Sequence, residues 1–318
     1  MPSTTTSPLL AIVIPYYKDR YISSVLRSIE QQTNQRFVVY IGDDCSPHNI
    51  QPALGGLTEQ FKSRIVYHRF DTNMGSVSLT GQWERCIALS HNEPYIWLFS
   101  DDDLMPHDAV ERFYDFIAAN NTADLLRFNL QIINDTDQLL TESKPHPTHE
   151  SARDFLYRRL NGECISTACE YLFTRKVYEQ KKGFVEFPLA WASDDATWAN
   201  FAEEKGIYTI PGKPVSWRLG GFNISSDKSG TYKLKIKAAL LYLRFIEERY
   251  SFPSELKMKT LYAQLSLLGG SQKVKAYFYK EVFKSKLFSN SFLLKQMAIR
   301  NYKLIKRGLI KLKLVKPS

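Results

Sequence analysis

Apolar runs alternating with helical spacing organise the first part of the chain. Residues 9–14, ended by Pro15, and residues 37–41, ended by Gly42, are uninterrupted apolar runs, the pattern of strands covered on both faces. Between them Ile22, Val25, Leu26 and Ile29 recur at i, i+3, i+4 and i+7, one buried face of a helix, so the segment predicts a βαβ unit of a parallel sheet. Residues 65–70 continue the series, residues 79–89 read as a helix with Leu79, Trp83 and Ile87 four apart, and residues 95–99 read as another buried strand. Val110, Phe113, Tyr114 and Ile117 mark the inner face of the next helix, and residues 125–133 alternate as a strand. The polar stretch 134–150, with Pro145 and Pro147, predicts an exposed loop, and residues 151–230 predict short mixed elements. From Tyr232 onward only helical patterns remain, interrupted at Pro253, Gly269-Gly270 and Gly308. The expected fold class is α/β, a mostly parallel sheet flanked by helices over residues 1–231, with an α-helical extension over residues 232–318.

At 318 residues, 44% apolar and 24% charged, the chain has material for one domain of about 200–250 residues plus an appendage, which excludes a disordered chain or a stapled miniprotein. The 4 Cys are too sparse for a disulfide framework and predict a reduced protein. No apolar stretch approaches the roughly 18–20 residues that span a bilayer, and residues 1–8 lack the basic and apolar regions of a secretion signal, so a cytoplasmic protein is expected. On that reading the glycosylation triplets at Asn120, Asn134 and Asn223 are chance matches. The net charge of +9 is unevenly placed. Residues 1–231 carry 22 Lys and Arg against 29 Asp and Glu, a charge of −7, whereas residues 232–318 carry 20 against 4, a charge of +16. Such asymmetry predicts a binding or catalytic domain joined to an anion-seeking module.

The chemistry-bearing residues fall just past the carboxyl ends of the predicted strands. Pro15-Tyr16-Tyr17 follows the first, Asp43-Asp44-Cys45-Ser46 the second, and Asp101-Asp102-Asp103 the run at 95–99. In an open parallel sheet those ends share one edge, where ligands bind, so three distant segments are expected to converge on one cleft. Three successive aspartates repel one another unless a cation or a helix terminus compensates them. A hard divalent ion, Mn²⁺ or Mg²⁺, suits that role because it binds through one or two carboxylates plus substrate phosphates. The plain alternative is a capping turn for the helix that follows. Likewise, Asp43-Asp44 is either an ordinary strand-to-loop turn or an acceptor for a base imide or a ribose hydroxyl, with the Tyr17 ring beside it. No Gly-x-Gly-x-x-Gly fingerprint and no Gly-Lys-Ser/Thr phosphate loop is present, which argues against a dinucleotide oxidoreductase or a P-loop enzyme, and the Cys and His spacing does not suggest zinc.

In order and spacing these segments resemble the inverting family 2 glycosyltransferases of the GT-A fold. Residues 11–17 are similar to that family's opening strand and Pro-x-Tyr turn, and Gln31-Gln32-Thr33 to the end of its first helix. Asp43-Asp44-Cys45-Ser46 resembles its Asp-Asp-Gly-Ser, Asn73-x-Gly75 its Asn-x-Gly, and Phe99-Ser100-Asp101-Asp102-Asp103 its metal-binding DXD segment. The resemblance covers about residues 9–225 and implies a transferase of the bacterial surface-polysaccharide type. By position it implies that Asp44 contacts the base with Tyr17 flanking it, that Pro15 and Asp101 line the nucleotide-sugar pocket, and that Asp102 with Asp103 ligates Mn²⁺ or Mg²⁺. Ser193-Asp194-Asp195 resembles the family's Glu-Asp pair at the start of a helix, which makes Asp195 the expected catalytic base rather than a plain N-cap. Trp217-Arg218 resembles its late loop, implying an Arg218 contact to the diphosphate. Two departures stand out: Thr80-Gly81 where relatives often carry Arg-Asn, and Gly220-Gly221 where some carry a His metal ligand.

The implied partners are a nucleotide-sugar donor, UDP- or dTDP-linked by preference, and a glycan or lipid-linked acceptor. The rival reading is a catalytically idle protein that keeps the nucleotide cleft. A sugar-phosphate nucleotidyltransferase would need a Gly-rich phosphate loop after the first strand, which is missing. In the tail, residues 283–318 hold no acidic residue, and Phe292, Met297, Ile299, Leu304 and Ile305 are interleaved with Lys295, Arg300, Lys303, Lys306 and Arg307. That composition fits a helix lying on an anionic membrane surface, which would make the protein peripheral on the inner face of the cell membrane, or a packing layer in a homodimer. It lacks any nucleic-acid motif.

Overall fold

The computed structural model of the chain describes residues 8–120, 122–220, 230–269 and 271–311, with side chains to residue 300. Asn121, Gly221, the Asn223 triplet, Gly270 and the tail side chains from 301 lie outside the described residues. Two compact units are present, Met1–Asp227 and Lys228–Ser318.

The first unit opens as strand β1 (Leu10–Tyr16), helix α1 (Ile22–Glu30) and strand β2 (Phe37–Asp43). The short helices α2 (Gln51–Gly55) and α3 (Glu59–Lys62) lead to β3 (Ile65–Arg69), helix α4 (Leu79–Ile87), β4 (Tyr95–Leu98) and helix α5 (Ala109–Ala119). Strand β1 is buried throughout except at Pro15, and the inner face of α1 consists of Ile22, Val25, Leu26 and Ile29, all buried in one core with β1 and β2. Burial of such apolar faces on both sides of a sheet, at about 25 cal/mol per Å², is the dominant stabilising term. Helix α4 departs from the expected face: Thr80, Gln82, Cys86 and Ile87 are buried, while Leu79 and Trp83 are only partly so. Polar groups can point inward here because Gln82 Nε2 donates to the Gly42 carbonyl at 3.1 Å.

The chain then forms β5 (Leu125–Arg127), β6 (Leu130–Ile133), β7 (Leu139–Glu142), β8 (His149–Glu150), helix α6 (Ala152–Asn161), β9 (Tyr171–Thr174), helix α7 (Arg175–Gln180), helix α8 (Ser193–Phe201), β10 (Ile207–Thr209) and β11 (Val215–Arg218). The main sheet has eight strands in the order β3-β2-β1-β4-β9-β5-β10-β8. Strands β3, β2, β1 and β4 pair in parallel, β9 inserts antiparallel between β4 and β5, and β10 is parallel to β5. A second sheet has the order β11-β6-β7.

Two sequence expectations are corrected. Residues 125–133 are not one strand: β5 belongs to the main sheet and β6 to the small one, with the switch at Phe128-Asn129. Phe128 stacks on Trp97 with ring centroids 5.1 Å apart, and its amide donates to the Glu170 carbonyl, so the bend is set by distant partners that alternation cannot report. Residues 134–150 are not one loop but hold β7 and β8; the β7 side chains are all exposed, so only the backbone ladder to β6 reveals a strand.

The second unit consists of α9 (Tyr232–Glu247), α10 (Ser254–Leu267), α11 (Gln272–Ser285) and α12 (Asn290–Lys311). Helix α9 packs on α10 and α11, and α10 on α11. Gly308 does not interrupt α12; the break falls earlier, at Lys286, which takes a left-handed conformation with φ 56°. Among the described residues no helix is long and apolar enough to cross a membrane.

Gly42 shows how tightly α4 covers β2, since a Cβ there would lie 2.2 Å from Cys86 Sγ. Gly42→Ala is expected to cost about 1–3 kcal/mol in urea unfolding; an unchanged midpoint would contradict this packing.

Candidate active site

The loop leaving β1 is tied to the end of β4 by backbone donors. The amides of Tyr17 and Lys18 donate to Asp101 Oδ2 at 2.9 and 3.0 Å, and the Asp44 amide donates to the Tyr16 carbonyl at 2.9 Å. Pro15 sits opposite Gly42 in the ladder, and the Tyr17 ring is exposed. The parallel register thus brings Pro15, Tyr17, Asp44 and Asp101 to one edge of the sheet, as the sequence led us to expect.

The two aspartates ending β2 have distinct tasks. Asp43 accepts the Ser46 amide at 2.7 Å, the Tyr67 hydroxyl at 2.6 Å and Arg69 Nη1 at 2.8 Å. Asp44 accepts the amides of Met74 and Gly75 at 2.7 and 2.8 Å and pairs with Arg85, whose guanidinium lies 3.9 Å over the Phe70 ring. The Asn73-x-Gly75 turn is therefore clasped by the Asp44 carboxylate. Gly75 is required by closeness, because a Cβ there would stand 2.6 Å from Asp44 Oδ2.

At the end of β4 the aspartates face different ways. Asp103 is 1% exposed, and its Oδ1 accepts the Arg218 amide at 2.8 Å. Asp103, the expected partner of Asp102 at a metal, is thus held by a backbone amide through Oδ1. Arg218, expected at a diphosphate, is 0% exposed. Its Nε donates to the Asp102 carbonyl and its Nη1 to the Asn134 carbonyl, both at 2.7 Å, it pairs with Asp137, and it lies 4.2 Å over the Tyr21 ring. Arg218 braces the acidic turn from beneath. Among the described residues no group hydrogen-bonds to the Asp102 carboxylate. Burial, then Asp103, then Asp101, push its pKa up to about 8. Burial lifts Asp103 to about 6 and raises Asp101, in both cases against the amides that donate to them.

A metal fits this turn only in shared form. Among the described residues no group of three or more His, Cys, Asp or Glu converges on one point. The turn does offer one unpartnered carboxylate, Asp102, whose charge is disfavoured by its surroundings and which a divalent cation would stabilise.

The second acidic pair opens α8. Residues 189, 190 and 192, just before it, have φ of 62°, 50° and 63° although none is glycine, so the helix start is held in a strained turn. Asp195 is 4% exposed, and Arg159 of α6 grips both its oxygens, Nε at 2.8 and 3.0 Å and Nη2 at 2.6 Å. Asp194 is partly exposed; burial and then Asp195 push it up to about 7. Between the two acidic centres runs the segment entering β9. The Cys169 thiol interacts with Asp103, and Glu170, 0% exposed, accepts the Thr167 amide at 2.8 Å and feels the Asp194 charge. Sequence reasoning missed Arg85, Arg159 and Glu170. Nothing in their local pattern separates them from ordinary helix and strand-end residues.

The model of the family described as "Glycosyl transferase family 2" matches residues 11–178, more than half of the chain. The chain belongs to that family and is a glycosyltransferase enzyme of GT-A fold. No curated protein matches its sequence significantly. Among solved structures, S. aureus TarS 1-349 in complex with UDP-GlcNAc is similar at TM-score 0.63 and 13% identity, covering 85% of this chain and 78% of that one. Mannosyltransferase PcManGT from Pyrobaculum calidifontis, in complex with GDP-Man and Mn²⁺, is similar at TM-score 0.54 and 13% identity, covering 98% of this chain and 87% of that one.

Burial pushes Glu170 up to about 8 from an ordinary 4.5, so between those values the folded state holds more protons than the unfolded state and stability falls as pH rises. Glu170→Gln should flatten that dependence, measured as unfolding free energy at pH 5 and pH 8. An unaltered slope would show that Glu170 ionises freely.

Proposed function

We propose that this enzyme is an inverting, metal-dependent transferase that moves a sugar from a UDP- or dTDP-linked donor to a hydroxyl of a glycan or lipid-linked saccharide in cell-surface polysaccharide synthesis. The observation that carries the reading is the unpartnered Asp102 carboxylate at the carboxyl edge of the parallel sheet, beside the Tyr17 and Asp44 loops. The complexes of TarS with UDP-GlcNAc and of PcManGT with GDP-Man and Mn²⁺ support it.

In this reading the exposed Tyr17 ring flanks the base, and Asp44 acts by holding the Asn73–Gly75 turn against the nucleotide edge. Asp102 would hold Mn²⁺ or Mg²⁺ together with the donor diphosphate, where the ion neutralises the charge of the departing nucleotide. Arg218 and the Tyr17 and Lys18 amides keep the turn in place. A carboxylate at the start of α8 accepts the proton of the acceptor hydroxyl as it attacks from the face opposite the nucleotide, and no covalent intermediate is required. The acidic catalytic unit cannot itself favour an anionic surface; the basic helical unit can. The enzyme works peripherally at the cytoplasmic membrane face, with α12 on the lipid. That helix exposes Leu294 (61%) and Ile299 (38%) beside Lys295, the mixture that interfacial helices use.

Calorimetric titration of UDP, dTDP, GDP and CMP, each with and without Mn²⁺, should show one nucleotide whose tight binding requires the metal and is lost in Asp102→Ala. Binding of all four indifferent to Mn²⁺ would sink the metal-dependent reading. For the tail, the Leu294→Glu/Ile299→Glu variant should lose sedimentation with phosphatidylglycerol liposomes while donor binding is kept. Cosedimentation equal to wild type would exclude α12 as the docking element.

A further inference from the structure

Residues 184–187 run between helix α4, which follows the Asn73–Gly75 turn, and the start of helix α8, and they are bonded to both. The bonds alternate. The Phe184 amide donates to Glu84 Oε1 of α4 at 3.0 Å, and Glu186 Oε1 accepts, at 2.6 Å, the hydroxyl of Ser78, the residue that caps the same helix. The residues between turn the other way: the Val185 amide donates to Thr197 Oγ1 and the Phe187 amide to Ser193 Oγ, both on α8 and both at 2.9 Å. Aromatic rings fill the same seam, the Phe184 centroid lying 5.3 Å from that of Trp83 on α4 and 6.1 Å from that of Trp198 on α8. The segment is a strap laced to two helices.

On the α4 side the lacing reaches the nucleotide edge. Asp44 accepts the Met74 amide at 2.7 Å, and the Met74 carbonyl accepts the Ser78 amide at 2.8 Å. The Ser78 hydroxyl then accepts the Gly81 amide at 3.0 Å and donates to Glu186. On the α8 side the strap passes straight into the turn whose residues 189, 190 and 192 have φ of 62°, 50° and 63°. Such conformations persist only while their surroundings impose them, so that turn is where a change in the strap registers. Glu186 is exposed, and a hydrogen bond exchanged against water adds little net stability. The effect of its bond to Ser78 is local: it fixes the Asn73–Gly75 turn relative to the start of α8.

We propose that Glu186 is a positioning residue that couples the two halves of the reaction: a nucleotide seated against the Asn73–Gly75 turn fixes Ser78 and, through Glu186, orders the turn that opens α8 before the acceptor arrives. The proposal rests on the glycosyl-transfer reading above, which puts the donor at that edge and the acceptor at α8. Chains of hydrogen bonds between packed elements carry coupling of this kind, and ordering one segment lowers the entropic cost of ordering the next. Glu186 needs no contact with either substrate, because it acts through Ser78.

The test is amide hydrogen exchange on the full chain, read by mass spectrometry, with Mn²⁺ and UDP, dTDP, GDP or CMP in turn as probes. The nucleotide that slows exchange in residues 73–78 is expected to slow it in residues 187–196 as well. In Glu186→Ala the slowing at 73–78 should remain and the slowing at 187–196 be lost, with Tm close to wild type. Ser78→Gly removes the same bond from the other side at little cost to the helix cap and should behave alike. Glu186→Gln keeps an oxygen that can accept the Ser78 hydroxyl, so it should transmit as wild type does; a role in folding alone would lower Tm without separating the two segments. Three results would overturn the coupling while leaving the donor edge intact: wild type protected at 73–78 alone, either bond-breaking variant protected in both segments, or Glu186→Gln behaving as Glu186→Ala. If no nucleotide slows exchange at 73–78, the donor reading of that edge falls and this proposal with it.

Discussion

Three adjacent carboxylates at the end of a buried strand impose the constraint around which the first unit is built. Each is costly to remove from water, and the charges of Asp103 and Asp101 raise the pKa of Asp102 between them. The fold meets the difficulty by compensating them separately. The β1 exit loop turns two amides onto Asp101, and the last strand of the small sheet turns the Arg218 amide onto Asp103. The Arg218 guanidinium also ties the turn to the β6–β7 connection through Asn134 and Asp137. Asp102 is left as the member to whose carboxylate no described residue hydrogen-bonds. A site with one poised carboxylate is a consequence of satisfying the other two.

Arginine forks repeat the same solution elsewhere. Arg85 holds Asp44, Arg69 holds Asp43, and Arg159 holds Asp195, each arginine coming from a different element than its partner. Arg127, wholly buried on β5, pairs with Glu150 of β8, and Arg158 of α6 reaches the same carboxylate, so one acid joins two strands and a helix. A planar guanidinium is suited to this work because it stays charged when buried and meets both carboxylate oxygens at once. The acid-rich composition of the first unit is accordingly a set of cross-links rather than a diffuse charge. In the second unit the buried Lys257 pairs with the exposed Glu247, and Lys273, Lys275, Lys280 and Lys284 of α11 face outward.

The order of strands and helices, the α1 face and the placement of Tyr17, Asp44 and Asp101–Asp103 at one sheet edge were legible in the sequence, because they follow from hydrophobic period and from turns adjacent to their strands. Strand switching at Phe128-Asn129 was not, since no glycine or proline marks the change and what separates β5 from β6 is the sheet each joins. Nor was β7, whose side chains are all exposed. What each carboxylate does was beyond reach for the same reason. The arginine that decides it lies 41 residues away for Asp44, 36 for Asp195 and 115 for Asp103. Sequence determined which acids arrive at the cleft edge. Tertiary packing alone decided which of them are neutralised by a fork or an amide, and which remain free to meet a ligand.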